Sequence, residues 1–168
     1  MELNVGIHSD TSKWQQMKRN LQKGQNLAVK VGWFDGKKHT SERSQNITLA
    51  QIAKWLEEGH MNGGLYPNTW TPPRPFIRIG LMSALKESHW LQKQISFYLP
   101  QIIDGRMTWT QFYQKLGPSL QKLLQEVMNA WDTPTNSPLT VALKGFNNPL
   151  IESGYLRDNV EWRLGKKE

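Results

Sequence analysis

The sequence predicts an α+β fold: a small, mostly antiparallel sheet packed against several helices. Two observations carry this. Leu27, Val29, Val31 and Trp33 alternate with their neighbours at the period of a half-buried strand, and Val160, Trp162 and Leu164 repeat the pattern near the C-terminus. Between them run several stretches with apolar residues at helical spacing, enough to cover a small sheet with helices. With 168 residues, the chain reads as a single domain over 1–168, long enough to bury a core without a staple.

The elements follow in order. Ser9 or Asp10 caps a helix to Lys23, with Trp14, Met17 and Leu21 as its apolar stripe, and Gly24 stops it. The strand Leu27–Phe34 runs into the turn pair Asp35-Gly36. Lys37–Asn46 carries no apolar anchor and reads as an exposed loop. Thr48-x-x-Gln51 is a capping box opening a second helix, with Leu49, Ile52, Ala53 and Leu56 on one face. That helix ends near Gly59, and residues 59–76 form an extended, proline-rich loop. A long helix is expected over Ile77–Ile103, kinked at Pro100. Asp104-Gly105-Arg106 turns it into a helical hairpin with the segment opened by the capping box Thr108-x-x-Gln111. Gly117-Pro118 is expected to break or bend that second arm. Residues 132–149 read as a second extended loop, expected to contact a neighbouring subunit. Ser153-Gly154 is a turn, and Val160–Leu164 has two candidate partners, Leu27–Phe34 and Leu3–Ile7.

Composition excludes several functions. The chain has no cysteine, so thiolate metal sites, iron–sulfur clusters, disulfides and thiol nucleophiles drop out. No apolar run approaches a membrane span of about 20 residues, and Met1–Asp10 lacks the order of a secretory signal. No phosphate-binding loop, dinucleotide fingerprint or Gly-x-Ser-x-Gly elbow is present. His8, His39, His60 and His89 have no partner at metal-ligand spacing, and Glu57-Glu58 point about 100° apart on a helix. No cofactor, metal or catalytic residue is assigned. The net charge of +7 is dispersed over Lys13/Lys18/Arg19, Lys37-Lys38 and Lys166-Lys167. A basic surface that meets DNA without a motif is the alternative reading. The eight tryptophans read mainly as core or interface, with Trp70 in the proline-rich loop set apart.

Three pieces together are distinctive. They are Val29-Lys-Val-Gly-Trp-Phe-Asp-Gly36; Leu49-Ala50-x-Ile52-Ala53-x-x-Leu56-Glu57-x-Gly59 followed by Pro72-Pro73-Arg74-Pro75-Phe76; and Asn136-Ser-Pro138, Thr140, Lys144-Gly145, Pro149-Leu150-Ile151-x-Ser153-Gly154-x-Leu156. In this order they resemble the tail-component and virion-morphogenesis proteins of tailed bacteriophages. The resemblance covers most of residues 27–164. It implies a structural virion protein without enzymatic activity, at the head–tail junction. The chain would be a subunit of a homo-oligomeric ring, six copies favoured over twelve, beside neck and tail-tube proteins. Genomic DNA would pass through the lumen. It singles out Glu57, Trp70, Pro72, Pro73, Arg74, Pro75, Phe76, Pro149, Leu150, Ser153, Gly154 and Leu156 as loop-setting or interface residues. Within that set, Glu57 is expected to pair with Arg74 and set the loop, because an arginine fork suits a carboxylate.

Overall fold

The computed structural model describes residues 11–34, 36–38, 47–62, 68–87 and 89–167. It is α+β. Strand β1 (Leu27–Gly32) pairs antiparallel with β4 (Glu161–Lys166), from Leu27 opposite Lys166 to Gly32 opposite Glu161. Of the two partners open to the C-terminal strand, this is the one used among the described residues; Leu3–Ile7 lies outside them. Helix α1 spans Thr11–Gln22, α2 Leu49–Glu58, α3 Met82–Glu87, α4 Trp90–Ile103 and α5 Trp109–Ala130. Two short helices, α6 (Pro138–Lys144) and α7 (Tyr155–Asp158), follow. Both predicted capping boxes form: the Thr48 and Thr108 side chains accept from the Gln51 and Gln111 backbone, and each glutamine accepts in return.

A two-stranded sheet is marginal alone in water. Here α5 lies across it. The Trp162 ring packs where a Cβ on Gly117 would stand, 2.2 Å from its nearest ring atom. That contact explains why the expected break at Gly117-Pro118 does not occur and α5 runs unbroken through both residues. Proline inside a helix costs about 3 kcal/mol, and the ring-on-backbone packing that only glycine permits holds the helix to the sheet at that point.

The main core gathers Leu49 and Ala53 of α2, Phe76, Leu81, Leu124 and Met128 of α5, Leu150, Leu156 and Val160. A second cluster joins Ile102 of α4 to Phe112 and Leu116 of α5, with Trp90 and Tyr98 against it. These two clusters account for another correction. The single helix expected over 77–103 is instead a π-helical turn, Phe76–Leu81, then α3, then α4, with His89 between them at φ +48°. Leu85 packs on the first cluster, whereas Trp90, Tyr98 and Ile102 pack on the second. The break re-aims the apolar stripe from one to the other. Pro100 sits inside α4, and the turn at 104–108 returns the chain as the expected hairpin.

The predicted stripe of α1 is only partly covered: Trp14 and Leu21 are exposed, Met17 is half-buried, and no residue of α1 is fully buried. Polar contacts also tie the helix down. Asn20 donates to the Ile103 carbonyl (3.3 Å) and its own carbonyl accepts from the Trp109 indole (2.9 Å). The predicted cap residues Ser9 and Asp10, Asp35, and most of the loop 37–46 lie outside the described residues. Both extended loops are more structured than expected. Within 59–76, β2 (His60–Met61) and β3 (Trp70–Thr71) form a short antiparallel ladder. Within 132–149, Ser137 caps α6 through Thr140 N, with Pro138 at its first turn.

Candidate functional site

The proline-rich strap begins where α2 ends. Gly59 closes the helix at φ +78°, and the chain returns through β3 so that Arg74 N donates to Leu56 O at 2.7 Å. Pro72, Pro73 and Pro75 have no N–H and a fixed φ, so the strap is stiff and extended. Phe76 then enters the core, fully buried, its ring edge-on to Trp33 at 6.1 Å. Trp33 fastens the far side: its indole N–H donates to Leu156 O at 2.8 Å.

The expected Glu57–Arg74 pair does not form. Glu57 lies under the start of the π-helical turn, where Oε2 accepts from Ile77 N and Oε1 from Arg78 N, both at 2.9 Å. Pro75, at the cap position, offers no side-chain hydrogen bond, so the carboxylate supplies the missing cap from another helix and suits the positive helix end. With both oxygens on backbone donors, its Arg partner is Arg78, at 4.0 Å on the exposed side.

Arg74 turns the other way. Only 8% exposed, it donates through Nη1 to Pro149 O (2.9 Å) and through Nη2 to Asn136 Oδ1 (3.4 Å). Its Nε and the Asn136 Nδ2 are buried without a partner. Burial pushes the guanidinium down from its ordinary value, though arginine stays protonated at physiological pH.

The turn that receives Arg74 is built by Asn148. Its Oδ1 accepts from Leu150 N and Ile151 N (both 2.9 Å), while its Nδ2 donates to Met128 O and Asn129 O at the end of α5. Asn147 Oδ1 accepts from Asn136 N. Pro149 and Leu150 are buried; Ser153 is exposed and its Oγ accepts from Tyr155 N. Gly154, at φ +81°, opens α7 in a conformation that side chains disfavour.

These pieces enclose a cleft of about 410 Å³. Arg74, Pro149, Leu150, Ser153, Gly154 and Leu156 all line it. Of the other sequence candidates, Trp70 and Pro72 line an adjoining hollow of about 460 Å³, which shares Arg74, Thr140 and Leu143 with the first. Pro73 and Pro75 belong to the strap, Phe76 to the core, and Glu57 to the helix start. Asn148 carried no signal in the sequence, because an asparagine in a breaker-rich run looks like any other. Lys144 and Asn136 stood in the resemblance without a role and prove to line the same wall. Burial and the Arg74 charge push Lys144 down, opposed by Glu152.

The cleft carries Arg74 and Lys144 against one carboxylate, Glu152, with Ile52, Leu56 and Leu143 among its apolar walls. Such a lining suits a polar group carried on an apolar stem. Among the described residues no group of three or more His, Cys, Asp or Glu is placed to hold a metal ion, and no helix is long and apolar enough to cross a membrane. Comparison with protein-family models, curated proteins and solved structures finds no match for this chain.

Proposed function

We propose that this chain is a structural virion protein of a tailed phage, a ring subunit at the head–tail junction that completes the tail or joins it to the DNA-filled head. The observation that supports this reading is a stiff strap locked to a distant turn by one buried arginine, with uncovered apolar groups alongside. Trp70 of β3 is 56% exposed and Leu143 of α6 76% exposed, with Leu139, Phe146 and Met61 also open. Large exposed apolar patches mark interaction surfaces. A pre-stiffened segment loses less entropy when it docks. A head-to-tail contact repeated by a fixed rotation closes a ring.

The test is quantitative mass spectrometry of gradient-purified virions, counting this chain against the portal protein. A count near half the portal's supports a six-fold tail-end ring, and parity places it in a twelve-fold head-side layer. Absence from intact virions overturns the reading.

One observation favours the second reading, a non-catalytic DNA-binding protein. Helix α1 carries Lys13, Lys18 and Arg19 with no acidic residue, beside an exposed Trp14. Duplex binding by the free chain that weakens steeply with salt favours this reading. The same surface facing the lumen of a ring is compatible with the first.

A further inference from the structure

The backbone of an edge strand offers a row of donors and acceptors to another strand. Lys167 N donates to Asn26 O at 3.0 Å. With the register of β1 on β4, the bonded pairs then fall at Ala28/Gly165, Lys30/Arg163 and Gly32/Glu161. The N–H and C=O groups of Trp162, Leu164 and Lys166 therefore point away from β1. Among the described residues no backbone group pairs with them. The outer edge of β1 is shorter, because Leu27 N is already bonded to Gly24 O. β4 also lacks two usual guards of an edge: it has no proline, and no bulge breaks its register. Its charges, Glu161, Arg163 and Lys166, are of both signs, so they select a partner rather than exclude every one.

The strand that fits is β4 itself. Laid antiparallel on a second copy about Leu164, it sets Trp162 opposite Lys166, Arg163 opposite Gly165 and Glu161 opposite Lys167. No like charges face each other, and the Glu–Lys pair occurs twice by symmetry. The neighbouring registers are worse. Centring on Arg163 opposes two arginines, centring on Gly165 opposes Arg163 and Lys167, and centring on Trp162 runs the ladder past the strand into α7.

The helix over the sheet fits the same arrangement. α5 packs on both β1 and β4. Strands stand about 4.8 Å apart. Two such sheets joined edge to edge place their two α5 helices about 10 Å apart on one face, the distance at which helices pack. A lone strand from another source would bring no such cover for the apolar side of the extended sheet.

We infer that the outer edge of β4 is a self-association surface: β4 of a second copy adds to it antiparallel about Leu164, making one four-stranded sheet roofed by two α5 helices. The contact is isologous and closes at two. It therefore goes beyond the ring reading and stands or falls apart from it.

The test uses the full chain in sedimentation velocity up to about 0.5 mM, a range that reveals contacts with Kd as weak as ~1 mM. The wild type is expected to dimerise, with amide exchange at Trp162, Leu164 and Lys166 slowing as concentration rises. Lys166→Pro removes an outward N–H and leaves the bonds of β4 to β1 in place. It should weaken the dimer at least tenfold while the dilute protein keeps its thermal midpoint. Glu161→Lys and Lys167→Glu each set like charges across the seam and should each weaken it about tenfold. Mixed one to one, they restore opposite charges at both ends and should form the heterodimer. Where Glu161→Lys fails to fold, because Glu161 also holds Lys37 and Arg163, Lys166→Pro and Lys167→Glu still decide.

A wild type that stays monomeric throughout overturns the inference. So does a dimer that Lys166→Pro and Lys167→Glu leave intact, or one that forms without slowing exchange at the three amides, since the contact would then lie on another face. Amides already protected in the dilute monomer, and freed by deleting residues 2–8, would assign the edge to the chain's own N-terminal segment and overturn it too.

Discussion

Glu57 and Arg74 sit at opposite ends of one short stretch of chain and meet opposite fates. Glu57 places both carboxylate oxygens on backbone N–H groups at a helix start, and that region is closed. Arg74 is more deeply buried, reaches two neutral acceptors and keeps an unpartnered Nε; that region is open. The difference teaches where backbone groups satisfy a charged side chain in full and where they do not. A helix start supplies several donors in a fixed array, so one carboxylate is enough. A turn supplies one carbonyl in the right place, which is too little for a guanidinium with five N–H groups.

The largest expected effect tests the open region. Arg74→Ala removes the donor to Pro149 O, leaves the Asn136 amide further short and opens a void. It should cost about 3 kcal/mol in chemical denaturation. Arg74→Met keeps most of the packing of the stem but leaves the same two acceptors, Pro149 O and Asn136 Oδ1, without their donor. It should cost about 1–2 kcal/mol, less than Arg74→Ala because the void is largely filled. Equal costs for the two would mean that the stem contributes no packing, and that the guanidinium is held by its hydrogen bonds as completely as Glu57 is.

The closed region should respond to a smaller change in chemistry. Glu57→Gln keeps the shape but turns one acceptor into a donor against a backbone N–H. The expected loss is about 1–2 kcal/mol. Combined with Arg74→Met it should add within ~0.5 kcal/mol, because the two side chains share no hydrogen-bond partner. Coupling well beyond that in the double-mutant cycle would restore the direct pair expected from the sequence.

Much of this frame was legible in the sequence. Period-two alternation located β1 and β4, and two capping boxes marked the starts of α2 and α5, because both signals are local. The failures were non-local. Gly117-Pro118 reads as a break until the Trp162 ring arrives from 45 residues away in the chain. The stripe through 77–103 reads as one helix, because nothing in it says that two separate clusters claim its halves. At the candidate site, the strap and the 149–156 turn were named, and the structure lines one cleft with parts of both. The pairing of Glu57 with Arg74 was not, because charge complementarity in a sequence ignores backbone groups. Here the backbone outcompetes: N–H groups at the end of a helix take the carboxylate, and a turn carbonyl takes the arginine. Asn148 shows the same limit, since four of its hydrogen bonds go to main-chain atoms.

The smallest effect separates the ion pairs of the chain from Arg74, which has only neutral partners among the described residues. Asp158 is held below the usual carboxylate range by its hydrogen bond from Arg157, and Glu161 by its hydrogen bond from Lys37, with Arg163 assisting. A lowered folded-state pKa gives stability that is present above the unfolded value, near 3.8 for the free Asp side chain and 4.5 for the free Glu side chain. That stability is lost as pH falls through the lowered value. Both pairs are partly or largely exposed, so solvent screening limits the pair to about 1 kcal/mol or less. Asp158→Asn with Glu161→Gln should flatten the acid limb of thermal stability between roughly pH 5 and 2 by that amount. Arg74→Met should leave the limb unchanged in the monomer, because among the described residues no carboxylate pairs with Arg74 to lose its charge. An acid limb that Arg74→Met shifts in the monomer would place a carboxylate partner within the chain itself, and the open region would have to be counted as closed.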